Sequence, residues 1–210
     1  MLTSMKEYPS IPRSTGTSFV EFDAAVFDKL DGSCLRFSWT PKAGWSKTGT
    51  RTRLLDATDP VFGPALPLFE TSLAEPLARI ARAQRWEQVT VFAEFWGPGS
   101  FAGVHVVGDP MHLTLFDVAP YKKGLLEPNQ FRALFEEAVP TPAYLGRLRW
   151  TRGFVERVRA GQVEGITFEG VVGKAPGRQG LLMAKAKTQA WLDKVAALYA
   201  PEAARRIIES

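Results

Sequence analysis

Residues 27–33 read Phe27-Asp28-Lys29-Leu30-Asp31-Gly32-Ser33, in which a lysine is followed two residues later by an acid and then by a glycine. Apolar, strand-like residues lie on both sides, at 18–23 and 33–40. A lysine at a turn between two buried strands loses water, and a desolvated lysine can lose its proton and act as a nucleophile. Because Asp-Gly is also common in surface hairpin turns, this interpretation needs support from elsewhere in the chain.

The length and composition suit one domain with a sizeable core. The chain has 210 residues, 45% of them hydrophobic, with 6 tryptophans and 14 phenylalanines. Its single cysteine, Cys34, excludes an internal disulfide and favours a reducing compartment, so we expect a cytoplasmic location. The first 17 residues lack the apolar run of a signal peptide, and no apolar stretch approaches the roughly 18 residues of a membrane span.

The positive charge is concentrated near the end of the sequence. The net charge is +4, and residues 151–210 carry 10 basic and 6 acidic side chains, whereas residues 1–150 carry 16 of each. Further arginines cluster from Arg147 to Arg159. This pattern is compatible with a phosphate-bearing partner, although a solvated basic helix face explains the charge alone more simply.

Hydrophobic periodicity predicts an α+β fold, with strands that meet as hairpins and helices on the outside. The predicted strands are 18–23, 33–40, 51–55, 89–96, 104–107, 113–118, 165–172 and 180–187. The predicted helices are 70–86, 128–138, 151–160 and 189–199, and 41–50 is predicted to be a turn region.

Two familiar kinds of site are not supported by the sequence. The glycine-rich loop at 97–103 has the spacing G-x-G-x-x-x-G, contains Pro98 and is not followed by a helix pattern, so it does not fit a dinucleotide-binding loop. No P-loop sequence is present. His105 and His112 have no other ligand residues nearby in sequence, so a zinc site has little support.

Five residues outside the lysine turn are candidates for chemistry. Glu94 interrupts an apolar strand and could point to solvent or bind a ligand hydroxyl, and Phe116 could be core or a stacking platform. Glu169 precedes an apolar strand. Lys185 and Lys187 lie two residues apart, so on a strand both point to one face, where they repel each other unless an anion lies between them.

Taken in order, these segments resemble the five motifs of the covalent nucleotidyltransferases, which are the ATP-dependent DNA and RNA ligases and the mRNA capping enzymes. The matching segments are 29–32, 92–97, 115–118, 169–172 and 185–187. The segments 8–11 and 45–49 also resemble RNA ligases, so the resemblance covers about residues 8–188.

The resemblance implies a nucleotidyltransferase domain, which is an ATP-grasp-like ligase catalytic domain with two antiparallel sheets and flanking helices around an ATP cleft. We expect a single domain over residues 1–210, without a C-terminal OB-fold or helical domain. The implied cofactors are ATP and Mg²⁺ or Mn²⁺. The implied partners are RNA ends or nicks, with DNA as the alternative, and no membrane. A protein partner or a second copy of the chain could replace the missing domain.

The resemblance also assigns roles to residues. Lys29 would attack the α-phosphate of ATP, Glu94 would bind the ribose, Phe116 would stack on adenine, and Glu169 would position the metal. The expected catalytic residues are Lys29, Glu169, Lys185 and Lys187. The expected nucleotide contacts are Ile11, Asp28, Lys29, Lys47, Glu94, Phe116, Glu169, Lys185 and Lys187. The expected nucleic-acid contacts are Arg51, Arg149, Arg152 and Arg157.

The physical chemistry agrees with a nucleophilic lysine. A free lysine has a pKa near 10.4, and lowering it by about 3 units costs roughly 4 kcal/mol. Two neighbouring lysines, a divalent cation and apolar strands would each lower the pKa of such a lysine. The sequence also departs from the family, because Cys34 stands where DNA ligases tend to carry arginine, and Arg36 and Lys47 are candidate substitutes for the family's basic residues.

The leading interpretation is an ATP-dependent RNA ligase that forms lysyl-AMP, transfers AMP to a 5′-phosphate end and seals that end to a 3′-hydroxyl. The alternatives are a minimal DNA ligase core and a capping guanylyltransferase. A nucleic-acid-binding module of the same fold without sealing activity is a further alternative.

Overall fold

A computed structural model describes residues 5–13, 19–178 and 180–209. The strands are β1 (Phe22–Lys29), β2 (Ser33–Thr40), β3 (Gly44–Thr50), β4 (Leu54–Leu55), β5 (Val89–Trp96), β6 (His112–Pro120), β7 (Tyr144–Trp150), β8 (Gly170–Gly177) and β9 (Gly180–Lys187). The helices are α1 (Ala65–Ser72), α2 (Ala74–Ala83), α3 (Pro128–Phe135), α4 (Arg152–Arg159), α5 (Gln189–Leu198) and α6 (Pro201–Glu209). The result is a mixed α/β fold with two antiparallel sheets.

The chain divides into two compact units. The first unit comprises Met1–Tyr8 and Gly32–Thr141, and the second comprises Pro9–Asp31 and Pro142–Ser210. Each unit contains one of the two sheets and three of the helices. The expectation of a single nucleotidyltransferase domain over residues 1–210 stays a prediction.

The first unit is built on a five-stranded sheet with the order β4-β3-β2-β5-β6. One face of this sheet is apolar and packs against the helices, as shown by the Phe37 ring, which stacks on Phe69 of α1 with ring centroids 3.7 Å apart. Since side chains alternate along a strand, the opposite face carries the intervening residues, including Cys34, Arg36 and Glu94.

The second unit is built on a four-stranded sheet with the order β7-β1-β8-β9. Its apolar face carries Val26, Val171 and Ala186, which lie in one core with Phe154 and Val158 of α4. The alternate residues of the same strands therefore share the other face, which we call the lysine face. It is defined by Lys29, Lys174, Lys185 and Lys187.

The structure confirms several predicted elements and corrects others. Strands 89–96 and 180–187 match their predicted bounds, and β6, α3, α4 and α5 lie close to theirs. The prediction for 104–107 is wrong, because Val104 forms only an isolated bridge to Phe101 and Val107 is fully exposed. The predicted strand 165–172 begins later, at Gly170, and β7 and α6 were not predicted.

The predicted helix 70–86 is two helices that meet at Leu73. Pro76 lacks an amide hydrogen, and its ring would clash with the carbonyl of Ser72 in a continuous helix. The first helix therefore ends at Ser72, and Pro76 lies in the first turn of the second, where proline is tolerated.

The lysine turn does not join a hairpin. Strand β1 spans 22–29 rather than 18–23, so Lys29 is the last residue of a strand, and part of the predicted segment lies outside the described residues. Strands β1 and β2 belong to different sheets.

The predicted turn region 41–50 is also corrected, because its polar residues from Gly44 onward form β3, which pairs with β2 and β4. No helix in the described part of the chain is long and apolar enough to cross a membrane.

Candidate active site

Two lysines of the second unit contact the same carboxylate. The Lys29 ammonium donates to Oε2 of Glu169 at 2.8 Å, and the Lys187 ammonium lies 3.0 Å from Oε1. Glu169 and Lys187 are almost fully buried, whereas the Lys29 side chain keeps 24% of its surface exposed. The carboxylate is therefore held by two cations, and one of these cations is accessible to a reactant.

The register of the sheet brings these residues together. Lys29 is opposite Gly170 on β8, and Gly170 is opposite Lys187 on β9, so the two lysines are on strands that flank the start of β8. Gly170 has a φ of +150°, and a Cβ there would lie 2.0 Å from the Ala186 carbonyl oxygen. Only glycine permits this close approach of β8 to β9 directly after Glu169.

The backbone around Glu169 is held by polar side chains of the same unit. The Thr188 amide donates to the Glu169 carbonyl at 2.9 Å, and the Thr188 hydroxyl donates to the Phe168 carbonyl at 2.7 Å. Thr167 donates to the Asp28 carboxylate through its amide at 3.0 Å and its hydroxyl at 2.9 Å. Burial raises the pKa of Asp28, which these bonds partly oppose. Asp28 thus anchors the segment that leads into Glu169.

The Lys187 ammonium has three kinds of neighbour. Besides Glu169, its nitrogen lies 3.9 Å from the centre of the Trp191 ring and donates to the Ile207 carbonyl at 3.4 Å. Burial lowers the pKa of Lys187, and the Lys29 ammonium acts in the same direction, whereas the Glu169 carboxylate acts in the opposite direction. A second anion close to Lys187 would favour its charged form.

The other expected nucleotide contacts of this unit lie beside β9. Lys185 shares the lysine face with Lys187, as their spacing predicts, and is almost fully buried. Its amide donates to the Pro12 carbonyl at 3.2 Å, and Arg13 forms a parallel bridge with it, so the segment that contains Ile11 runs along this strand. Lys174 is the remaining member of the lysine face, because it lies four residues after Gly170 on β8 and side chains alternate along a strand. It was not among the predicted site residues.

In the first unit, the expected ribose and adenine contacts lie on β5 and β6. Glu94 is half-buried and is opposite Cys34 on one side and Thr114 on the other. Phe116 is in the bulge where the register of β5 and β6 shifts. Burial and the Glu94 carboxylate raise the pKa of the Cys34 thiol well above its usual range, so Cys34 is a neutral neighbour of Glu94.

Tyr8 is a further residue of this polar face. Its hydroxyl donates to the buried Asp117 carboxylate, and its ring contacts Phe92 and Phe116 edge-on at 5.1 and 5.0 Å. Burial and then Asp117 raise the pKa of Tyr8 well above its ordinary value. The sequence resemblance included residue 8 only as part of a motif, and its partner Asp117 is too distant in sequence for periodicity to reveal the contact.

The candidate basic substitutes of the first unit have different surroundings. The Arg36 guanidinium is almost fully buried and donates to the carbonyls of Met5 at 2.9 Å, Lys6 at 2.9 Å and Thr50 at 2.6 Å. Its donors therefore hold the backbone of the N-terminal segment. Lys47 is opposite Ser38 and thus lies on the polar face of the sheet, and Arg51 follows β3 near Cys34.

The expected nucleic-acid contacts of the second unit are divided between two faces of its sheet. Arg149 is on β7 opposite Asp23, with which it forms an exposed ion pair at 3.4 Å. Arg152 and Arg157 are exposed on α4, which covers the apolar face, and Arg152 lies over the Phe19 ring at 4.8 Å. The structure does not bring the three arginines together on one surface.

The histidines have structural contacts. The His105 ring lies 2.9 Å from both the Ser33 and the Ser100 hydroxyls, and burial lowers its pKa. His112 contacts the Trp96 ring with centroids 5.1 Å apart. Among the described residues, no group of three or more His, Cys, Asp or Glu side chains could hold a metal ion. Glu169, which the resemblance predicts for the metal, is a single carboxylate, and a Mg²⁺-type ion held there would complete its shell with waters and substrate phosphates.

The comparisons with known proteins concern the fold. No family model matches the sequence, and no curated protein matches it. Solved structures do match. An archaeal ATP-dependent RNA ligase is 20% identical, with a TM-score of 0.67, and the match covers 98% of this chain and 56% of that one. The fold of this chain is therefore similar to the fold of part of an RNA ligase.

Two structures from Naegleria gruberi agree. An RNA ligase variant without ligand is 15% identical, with a TM-score of 0.63, covering 90% of this chain and 58% of that one. An RNA ligase variant with ATP and Mn is 16% identical, with a TM-score of 0.59, covering 83% of this chain and 51% of that one. The chain thus spans little more than half the length of these RNA ligases, and the resemblance predicted from the ordered motifs is confirmed at the level of the fold.

Proposed function

We propose that the protein is an ATP-dependent RNA ligase that forms a covalent lysyl-AMP at Lys29. The observation that carries this proposal is the Lys29–Glu169–Lys187 arrangement at the ends of β1 and β9, within a fold that is similar to RNA ligases. A partly exposed lysine beside a buried carboxylate and a second buried cation suits a nucleophile that attacks a phosphate.

In the first step, the Lys29 amine attacks the α-phosphorus of ATP. The nitrogen–phosphorus bond forms, the bond to the pyrophosphate oxygen breaks, and pyrophosphate leaves with the electron pair. Lys29 must first lose a proton, and its ammonium donates to the Glu169 Oε2 carboxylate oxygen at 2.8 Å. Lys185 and Lys187 provide positive charge for the phosphate oxygens as negative charge develops.

Glu169 is the residue that would hold a divalent cation, whose charge would stabilise the leaving pyrophosphate. The Naegleria RNA ligase with ATP and Mn supports this requirement for a metal and a nucleotide. Glu94 and Phe116 of the first unit are proposed to bind the ribose and the adenine.

In the later steps, a 5′-phosphate oxygen attacks the phosphorus of lysyl-AMP, and Lys29 leaves. A 3′-hydroxyl then attacks the activated 5′-phosphate, and AMP leaves as the strand is sealed. The RNA ligase neighbours favour RNA at the 3′-hydroxyl strand. Nicked duplexes with an RNA or a DNA strand at that position distinguish an RNA ligase from a DNA ligase core.

The decisive experiment is incubation with α-labelled ATP and Mg²⁺ or Mn²⁺, followed by denaturing electrophoresis. We expect the label on the protein, on the peptide that contains Lys29, and absent from Lys29→Ala. Lys42→Ala removes an exposed lysine and should be labelled normally. Label that survives in Lys29→Ala contradicts the assignment of the nucleophile, and labelling by GTP in preference to ATP favours a capping enzyme.

A further inference from the structure

Trp191 is a buried tryptophan that none of the ordered motifs includes. It is 1% exposed and lies in the first turn of α5. Its position is fixed by the helix N-cap, since the Thr188 hydroxyl accepts from the Trp191 amide at 3.2 Å while the Thr188 amide donates to the Glu169 carbonyl at 2.9 Å. The residue that caps α5 therefore also holds the backbone of Glu169.

The Trp191 side chain contacts two charged groups of the candidate site. Its ring face lies 3.9 Å from the Lys187 ammonium, and its Nε1–H donates to Oδ2 of Asp31 at 2.6 Å. A cation over a buried indole is attracted by the negative ring face, and this attraction is largest where water is excluded. A charged acceptor makes the bond to Asp31 strong as well.

These contacts connect both ends of the lysine turn. Lys29 contacts Glu169, Glu169 contacts Lys187, Lys187 contacts Trp191, and Trp191 contacts Asp31, which is two residues after Lys29. Glu169, Lys187 and Trp191 each contact two other members, so a change at Trp191 reaches the nucleophile through Lys187 and through Asp31.

We propose that Trp191 is a positioning residue for the adenylylation reaction: its ring holds the charged Lys187 ammonium at Glu169, and its N–H fixes the Asp31 carboxylate beside the nucleophile. This inference rests on the proposed function for its catalytic consequence, whereas the contacts themselves can be tested without ATP.

The electrostatic surroundings of Lys187 define what the ring contributes. Burial of Lys187 and the nearby Lys29 disfavour its charge, while Glu169 and Asp31 favour it. Further charged residues line a small cavity with Lys187, namely Lys185 on the same strand, Arg13 and Arg159. In this cationic environment, the aromatic face adds an attractive contact that holds the Lys187 ammonium against Glu169.

The test compares Trp191→Phe with Trp191→Leu. Both variants lose the N–H donor and volume, but only Phe keeps an aromatic face for Lys187. The control is Trp150→Phe, which makes the same change at an equally buried tryptophan in the apolar core of the same unit. NMR relaxation of lysines labelled at Cε, with Lys187 assigned through Lys187→Arg, measures at constant pH how ordered the Lys187 side chain is in the protein without ATP.

We expect the Lys187 side chain to be ordered in the wild type, Trp150→Phe and Trp191→Phe and mobile in Trp191→Leu, because an aromatic face holds the ammonium in place. In the labelling assay, the rate at saturating ATP should be about 10-fold lower in Trp191→Leu than in Trp191→Phe. Asp31→Ala combined with Trp191→Phe should cost no more than the larger single change, because either one removes the same hydrogen bond.

Equal order of the Lys187 side chain in the Phe and Leu variants would overturn the role of the ring, and additive effects of the Asp31 and Trp191 changes would overturn the role of the N–H. If the wild type is not labelled by ATP at all, the proposed function fails. The NMR measurement then still decides whether the Trp191 ring holds the Lys187 ammonium in place.

Discussion

Lys29 and Lys187 contact opposite oxygens of one carboxylate, Glu169, at 2.8 and 3.0 Å. Their strands do not pair with each other, since β8 lies between them. A single buried acid therefore holds two like charges that would otherwise repel. The relationship links the stability of the second unit to the charge state of its proposed catalytic residues.

The first prediction concerns this shared acid. Glu169→Gln keeps the shape but leaves the buried Lys187 ammonium without a charged partner, so we expect the free energy of unfolding to fall by about 3 kcal/mol. ATP labelling should fall by about 10²–10³-fold. Urea denaturation and labelling measure the two effects, and Glu156→Gln, on an exposed position of α4, is the matched control. Normal labelling of Glu169→Gln would remove Glu169 from the proposed chemistry.

The second prediction concerns pH. Lys187 has a pKa below its ordinary value of 10.5, mainly because it is buried, so the unfolded chain keeps this proton to higher pH than the folded chain does. Stability rises with pH wherever the unfolded state binds more protons, and here that window runs from the folded pKa of Lys187 up to 10.5. Burial of the charged Lys187 thus lowers the unfolding free energy below the folded pKa of this lysine, and this destabilisation disappears as pH rises through the window.

Lys187→Met should therefore show a smaller increase in unfolding free energy between pH 8 and pH 10 than the wild type. Urea denaturation at several pH values measures the two slopes. Lys194→Met, at an exposed position of α5, should keep the wild-type slope. Parallel slopes for the wild type and Lys187→Met would show that Lys187 ionises alike in both states.

The third prediction concerns the glycine after Glu169. Gly170→Ala would place a Cβ 2.0 Å from the Ala186 carbonyl oxygen at a φ of +150°, so the strands must separate at the site. We expect a loss of at least about 3 kcal/mol of unfolding free energy. Gly153→Ala in α4 meets no atom closer than 3.9 Å and should instead stabilise the protein, by about 0.5–1 kcal/mol. Thermal unfolding of both variants checks the opposite signs.

Residue spacing and hydrophobic alternation predicted those features of the fold that depend on the local sequence. The two-residue spacing of Lys185 and Lys187 places both on one face of β9, and alternation on β5 separates Glu94 from the core. Helix α6 was not predicted, although it begins at Pro201 and proline suits the first position of a helix. Strand β3 was not predicted because its residues are mostly polar. Its extended conformation is stabilised by its pairing with β2, which the local sequence does not show.

Contacts between distant parts of the chain could not be predicted in this way. Trp191 meets Asp31 from 160 positions away, and Tyr8 meets Asp117 from 109 positions away. Lys174 joins the lysine face only because β8 pairs with β1 and β9 in a particular register. Such partners are set by sheet register and helix capping, which single-sequence periodicity does not contain.

The fourth prediction concerns the Tyr8 hydroxyl. Tyr8→Phe removes the donor to the buried Asp117 carboxylate, and a buried acceptor that loses a donor costs about 1–3 kcal/mol. The pKa of Tyr8 is raised above 10.0, so this contribution is complete below pH 10 and is lost only as pH rises through the folded pKa. Urea denaturation at pH 7.5 should show the difference, with the exposed Tyr121→Phe unchanged. Equal stability of Tyr8→Phe and the wild type would mean that Asp117 does not depend on this bond.

The last prediction concerns how a nucleic-acid strand is held. Arg147 is opposite Ala25, which is opposite Lys174, so Arg147 and its neighbour Arg149 lie on the lysine face. Arg152 and Arg157 are instead on α4, which covers the other face of the sheet. The ion pair of Arg149 with Asp23 is exposed and therefore weak, so it does not prevent contact with a phosphate.

We expect the double variant Arg147→Ala, Arg149→Ala to seal RNA nicks poorly while it is still labelled by ATP. Arg152→Ala, Arg157→Ala is the matched pair and should lose less sealing. Each lost phosphate contact should reduce the salt dependence of strand binding. The negative slope of log affinity against log salt should therefore become shallower by about 1 to 2 between roughly 50 and 200 mM salt. If the α4 pair has the larger effect, the strand follows the helix side of the sheet, and if labelling falls with sealing, the arginines act on the nucleotide and not on the strand.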